Sequence, residues 1–228
     1  ALTAPFEKPE IKMVLGKVEV EPGQSWFSKF QHIEFATLIT LTGATVAKGR
    51  PMLCNGANLA YRKAVYYDVE PYDIEKEGQS GDDVFLMQKI NGKFPGPIVF
   101  NTASDAILIT KGELNWHSFL QQRARWISKI GNYRSKNEAR LGALVLAVNL
   151  SLITLVIFAL LFGNFFEVLL FLFIKTIVDF IFIKKATHRF SPGKLLLYVF
   201  AFELYYAFYL FRIITFNKNK LEWKGRKI

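Results

Sequence analysis

Residues 141–163 form a run of 23 without a single charged side chain. A helix rising about 1.5 Å per residue crosses roughly 30 Å of hydrocarbon in that length. Two more apolar runs follow, residues 165–183 after a Gly163–Asn164 turn and residues 195–216. Residues 1–110 instead carry charges in every window, so the chain reads as bipartite. The expected organisation is a partial α/β domain over 1–138, a membrane region over 139–216 and a basic tail over 217–228. The first two runs predict an antiparallel hairpin of spans. Lys175 and Asp179 stand four apart in the second, which predicts an ion pair within the helix or against the bundle in preference to a proton relay. The third contains Glu203, Arg212 and four tyrosines, and reads as either a span or an interfacial helix.

The formal net charge of +10 first raises the idea of a nucleic-acid partner. Its distribution argues otherwise. Residues 1–110 hold 11 Lys and Arg against 13 Asp and Glu, while residues 111–140, 184–194 and 217–228 contribute +5, +4 and +4. All the excess flanks apolar segments, as in membrane proteins whose basic flanks meet anionic headgroups. Nucleic acid is therefore excluded as a partner, and membrane lipids are expected. If the soluble part is cytoplasmic, three spans would leave the basic tail outside, against the positive-inside tendency. Either the third run lies along or re-enters the interface, or the tail is exported as an exception; of the two, a cytoplasmic tail is expected. A single cysteine, Cys54, excludes an intrachain disulfide framework and a cysteine-based zinc site.

The soluble part mixes strand-like and helical stretches. Residues 11–20 read as a strand without evident sheet partners in this sequence, which points to truncation upstream. Residues 26–41 carry apolar side chains near helical spacing, residues 82–90 can cover one helical face, and strand candidates lie at 98–100 and 106–110. The histidines, His32, His117 and His188, are too dispersed for a ligand set and read as surface or interface residues. Cys54 reads as a small buried apolar residue.

Two constellations could carry chemistry. In the helix expected over 116–133, Gln122, Arg125 and Trp126 stand at i, i+3 and i+4, which puts an amide, a guanidinium and an indole on one face. A guanidinium suits a diphosphate, and an indole offers a flat wall for a sugar ring. A juxtamembrane helix with Arg at headgroups and Trp in the aromatic belt is the alternative. The second constellation is Gly81-Asp82-Asp83, two carboxylates opening a helix whose dipole favours negative charge. A general base needs one such carboxylate aimed at an acceptor hydroxyl; simple helix capping is the alternative.

A Gly-Asp-Asp, a Gln-x-x-Arg-Trp about 40 residues later and an apolar hairpin directly after it together resemble the family-2 glycosyltransferases, which include cellulose, chitin and hyaluronan synthases and ceramide glucosyltransferases. The resemblance implies a GT-A, Rossmann-like α/β fold, here its C-terminal part, followed by an α-helical transmembrane region. It also implies an inverting transfer of a sugar from a nucleotide-sugar, such as a UDP-sugar, to a lipid or glycan acceptor. The family's catalytic base falls on Asp83, with Asp82 in place of the usual Glu, and its motif falls on Gln122, Arg125 and Trp126. Residues 54–63 are similar to the segment beneath the acceptor site, which brings in Asn55, Gly56 and Asn58; turn chemistry alone is an equal reading of these three.

The family holds a divalent metal, Mg2+ or Mn2+, on an Asp-x-Asp. No Asp-x-Asp occurs in this sequence, so the metal ligands are expected upstream of Ala1 and these residues are expected to be inactive alone. The implied location is a bacterial inner or plasma membrane, multi-pass, with the catalytic part cytoplasmic. The competing reading is a non-catalytic membrane scaffold or transporter subunit.

Overall fold

A computed structural model describes residues 1–69, 81–94, 96–129, 136–187, 190–215, 222–223 and 226–227. His188 and most of the basic tail lie outside the described residues. The fold is mixed α/β at the front and helical behind.

The front half is built on two small sheets. The stretch expected as one strand divides at Lys17 into β1 (Met13–Gly16) and β2 (Val18–Val20). Both find partners within the chain, against the expectation that partners were lacking. β1 pairs antiparallel with β3 (Leu59–Tyr61) and parallel with β4 (Ile98–Asn101), and β2 pairs parallel with β5 (Leu108–Thr110). Sequence reading missed β3 because its three residues sit between a turn and a helix, too short for alternation to show. β1 is buried along its length, as expected for a central strand covered on both faces. Met13 and Leu15 pack with Met87, Ile90 and Ile98 in one core.

Helix α1 (Trp26–Ala47) starts at Ser25, whose hydroxyl accepts from the Ser28 N–H at 3.0 Å, an N-cap of the usual kind. It runs six residues beyond the expected end and is apolar nearly all round, so it is covered on several sides. α2 (Lys63–Asp68) follows β3. α3 (Asp82–Lys93) carries the acidic pair, and α4 (Trp116–Lys129) carries Gln122, Arg125 and Trp126.

The apolar runs form α5 (Asn137–Phe162), α6 (Phe166–Ala186) and α7 (Pro192–Ile214). Gly163 ends α5 with a left-handed φ of 74°, the backbone that a glycine C-cap supplies without a Cβ penalty. Among the described residues, α5 is the one helix long and apolar enough to cross a membrane; α7 could be a second only if its two segments, bent by 49°, form one span. The expected second span falls short because α6 carries Glu167, Lys175 and Asp179 within its apolar stretch, with Lys184 and Lys185 after it.

The helices are not an appendage. α1 packs along α6, and α7 packs on α6 and α4. Phe30 and Phe119 meet Leu195, Val199, Phe202 and Tyr209 in an aromatic-rich core between the two halves. Phe30 touches Trp116, Phe202, Tyr205 and Tyr209 with ring centroids 5.1–5.7 Å apart, in the range of favourable ring contacts. His32 is buried at the same junction. Its Nδ1 meets the Val20 carbonyl at 2.6 Å and its Nε2 meets the Thr187 hydroxyl at 2.8 Å, joining α1 to β2 and to the end of α6.

Lys175 donates to Asp179 at 2.8 Å within α6 and also to Glu203 on α7. The i, i+4 pair thus extends into a triad between helices. Lys175→Met leaves the Glu203 carboxylate, 4% exposed, without its cation. A buried charge orphaned in this way costs about 3–5 kcal/mol, so the thermal midpoint of the variant in detergent is expected to fall clearly. Replacing Lys175 and Glu203 together by methionine is expected to recover most of that loss.

Candidate active site

Asp83 sits in the first turn of α3, after Gly81, whose φ of 93° requires a residue without a Cβ. That turn exposes Asp82 and leaves Asp83 half-buried. The carboxylate of Asp83 faces the 54–58 loop. The Gly56 N–H donates to Oδ2 at 2.7 Å and the Val84 N–H donates to Oδ1 at 2.9 Å. Burial pushes its carboxyl above the ordinary aspartate value; the two N–H groups oppose that shift, and the neighbouring Asp82 charge adds to it. Cys54 lies on the same loop, half-buried, and its thiol is pushed up by burial and then by Asp83.

The three loop residues have distinct positions. Asn55 Oδ1 accepts from the Ala57 N–H at 2.9 Å, closing a local turn. Gly56 supplies the N–H on Asp83. Asn58 lies beneath, where its amide nitrogen donates to the carbonyls of Lys17 (2.9 Å) and Ala106 (2.8 Å) and its own carbonyl accepts from the Gly16 N–H (2.8 Å). Asn58 therefore fastens the loop to the ends of β1 and β5.

On α4, Gln122 donates from Nε2 to Glu113 Oε1 at 2.7 Å. Trp126 packs against the cluster of Val18, Val20, Phe35 and Ile39, with its ring centroid 6.4 Å from that of Phe35. Arg125 is half-buried. One turn further, Lys129 buries its stem, with Cγ 3.6 Å from where a Cβ on Gly81 would stand. This contact brings the far end of α4 against the turn that presents Asp83. Burial and the Arg125 charge lower the Lys129 pKa, so the ammonium is held where cations are already costly. A second tie runs from α3 to the first apolar helix, Gln88 Nε2 to Glu138 Oε1 at 3.0 Å.

Arg123 and Glu34 were not singled out from the sequence. Glu34 is the sole carboxylate of α1, and a lone acid in so apolar a helix was the available signal. The divalent metal implied by the resemblance has no matching donor set among the described residues, where no group of three His, Cys, Asp or Glu side chains comes together.

The start of α3 thus presents a half-buried carboxylate fixed by the 54–58 loop, and α4, which carries an amide, a guanidinium and an indole at i, i+3 and i+4, reaches the same turn through Lys129. A family model described as Glycosyl transferase family group 2 matches residues 2–213. No curated protein matches the chain. With the match covering both the α/β front and the apolar helices behind it, this chain belongs to glycosyl transferase family group 2.

Proposed function

We propose that this chain carries the base and acceptor side of an inverting, GT-A-type hexosyltransferase that moves a sugar from a nucleotide-sugar to a lipid or glycan acceptor at a membrane face. The observation that carries this reading is the Asp83 carboxylate, half-buried and fixed by the Gly56 and Val84 N–H groups. A base held in this way needs little reorganisation when it takes a proton.

In the proposed step an acceptor hydroxyl attacks the anomeric carbon of the donor. Its proton passes to Asp83 as the new C–O bond forms, and the bond from that carbon to the nucleoside diphosphate breaks on the opposite face, inverting the centre. Arg125 stabilises the charge on the departing diphosphate. Gln122 and Trp126 shape the diphosphate edge and the acceptor pocket, while Asn55, Gly56 and Asn58 form the floor beneath the acceptor. Asp82, exposed beside the base, keeps the local potential negative. Apolar helix α5, the basic flanks and the aromatic-rich α7 support a multi-pass membrane protein with its catalytic part cytoplasmic.

The test is a panel of nucleotide-sugars given to membranes containing the full-length protein, scored for labelled lipid against labelled polymer. Transfer from at least one donor is expected; no transfer from any donor would reject the reading.

The raised Asp83 carboxyl also sets a pH dependence. The base works ionised, so transfer is present above its pKa and is lost as pH falls through it. Because burial raises that value, the acid limb of kcat/KM should lie above the position of an exposed aspartate. A limb at the ordinary aspartate position would count against Asp83 as the base.

A further inference from the structure

Arg123 lies between two motif residues and turns its side chain into the interior. Its side chain is 5% exposed and that of Glu34 is 8% exposed. The two meet at two points: Arg123 Nε donates to Glu34 Oε1 at 2.9 Å and Nη2 donates to Oε2 at 2.5 Å. This is the forked geometry in which arginine differs from lysine. The remaining arm, Nη1, donates to the side-chain oxygen of Gln122. The guanidinium centre stands 4.3 Å from the Trp126 ring and 4.4 Å from the Phe119 ring, inside the range of cation–π attraction. Burial opposes the Arg123 charge and the Glu34 carboxylate more than offsets it, keeping the guanidinium above its ordinary pKa.

From the membrane side, the Tyr209 hydroxyl on α7 donates to Glu34 Oε1 at 3.1 Å. Helix α1 therefore delivers one carboxylate that is bonded at once to the motif helix and to the last apolar helix. Neither Glu34 nor Arg123 reaches a position where substrate could touch it, yet Gln122 and Trp126 both rest on Arg123.

We propose that Glu34 and Arg123 are positioning residues for sugar transfer: the buried pair sets the orientation of Gln122 and Trp126, and Tyr209 makes that orientation depend on the seating of α7. The inference rests on the reading above that Gln122 and Trp126 line the reacting site. Its competitor is a pair that serves the fold alone.

A buried ion pair can often be exchanged for apolar residues of similar volume without loss of stability, and this separates the two roles. In the full-length protein in membranes, Glu34→Leu with Arg123→Met should fold, with a thermal midpoint close to that of the wild type, while kcat falls about 100-fold, the order expected for a misplacement near 1 Å. The KM for the nucleotide-sugar should change by no more than about threefold, since the effect is on orientation in the transition state. Arg123→Lys keeps the charge and loses the fork, and should lower kcat about tenfold with the fold intact. Wild-type turnover in the folded double variant, or in Arg123→Lys, would overturn the proposal. A wild-type protein that transfers no sugar would reject the functional reading itself, a result distinct from an active wild type beside an unimpaired variant.

Discussion

Asp83→Asn in the full-length protein is expected to lower turnover by about 10²–10⁴-fold, the range of a lost general base, while donor binding changes little. Asparagine has nearly the shape of aspartate, and its carbonyl oxygen can still accept from the Gly56 N–H, so the 54–58 loop keeps its seat. What disappears is the ability to take a proton. Initial rates with a labelled nucleotide-sugar measure the first effect, and calorimetric titration of the donor measures the second. Asp82→Asn is the comparison: Asp82 is exposed and makes neither loop bond, so losing its charge should lower turnover far less than losing the base, while bringing the Asp83 carboxyl down toward its ordinary value. Retained transfer by Asp83→Asn would remove Asp83 from the mechanism.

The second large effect is on the fold. Gly16 closes β1, and a Cβ placed on it would stand 2.4 Å from Asn58 Nδ2 and 2.5 Å from Asn58 Cγ. The Asn58 side chain cannot swing aside cheaply, because it is held by the Lys17 and Ala106 carbonyls. Gly16→Ala must either break those bonds or push β1 away from the loop. Overpacking costs about 1–3 kcal/mol and stranded polar groups about 1–3 kcal/mol more, so a loss of about 2–6 kcal/mol is expected. That is a large share of a domain's usual margin of about 5–15 kcal/mol. Chemical denaturation of the two proteins side by side checks it, and a difference below about 1 kcal/mol would show that the strand end can give. Asn58 carries the Gly56 loop, so the surviving folded fraction should also transfer poorly.

The parts of this molecule that were legible in the sequence are those written in local patterns. The helix after Gly81-Asp82, the face bearing Gln122, Arg125 and Trp126, and the Lys175–Asp179 pair all follow from spacing within one turn or two. β3 was not legible, because three residues cannot display a period. The pairing of β1 with β4 spans 85 positions, Met13 to Ile98, and no local pattern encodes a partner so distant. The bond from Gly56 to Asp83 crosses 27 positions; both residues were singled out, but their meeting was not. Glu34 and Arg123, 89 apart, were passed over because each alone looks like an ordinary helix charge. The third apolar run shows the same limit from the other side. Its tyrosines and Glu203 marked it as unlike a simple span, and only its packing on α1, α4 and α6 shows what those side chains face.

That packing has a consequence for how the protein is made. Tyr209 bonds to a carboxylate synthesised 175 residues earlier, and the aromatic core around Phe30 and Phe119 is closed only by α7. During synthesis the α/β front emerges first and waits with that core open to water, a state prone to sticking to other chains. A front half produced without its helices should therefore precipitate or bind chaperones instead of folding, and coexpression of the helices as a separate chain should rescue its solubility. Docking of α7 would then be the last step in completing the core of the α/β front.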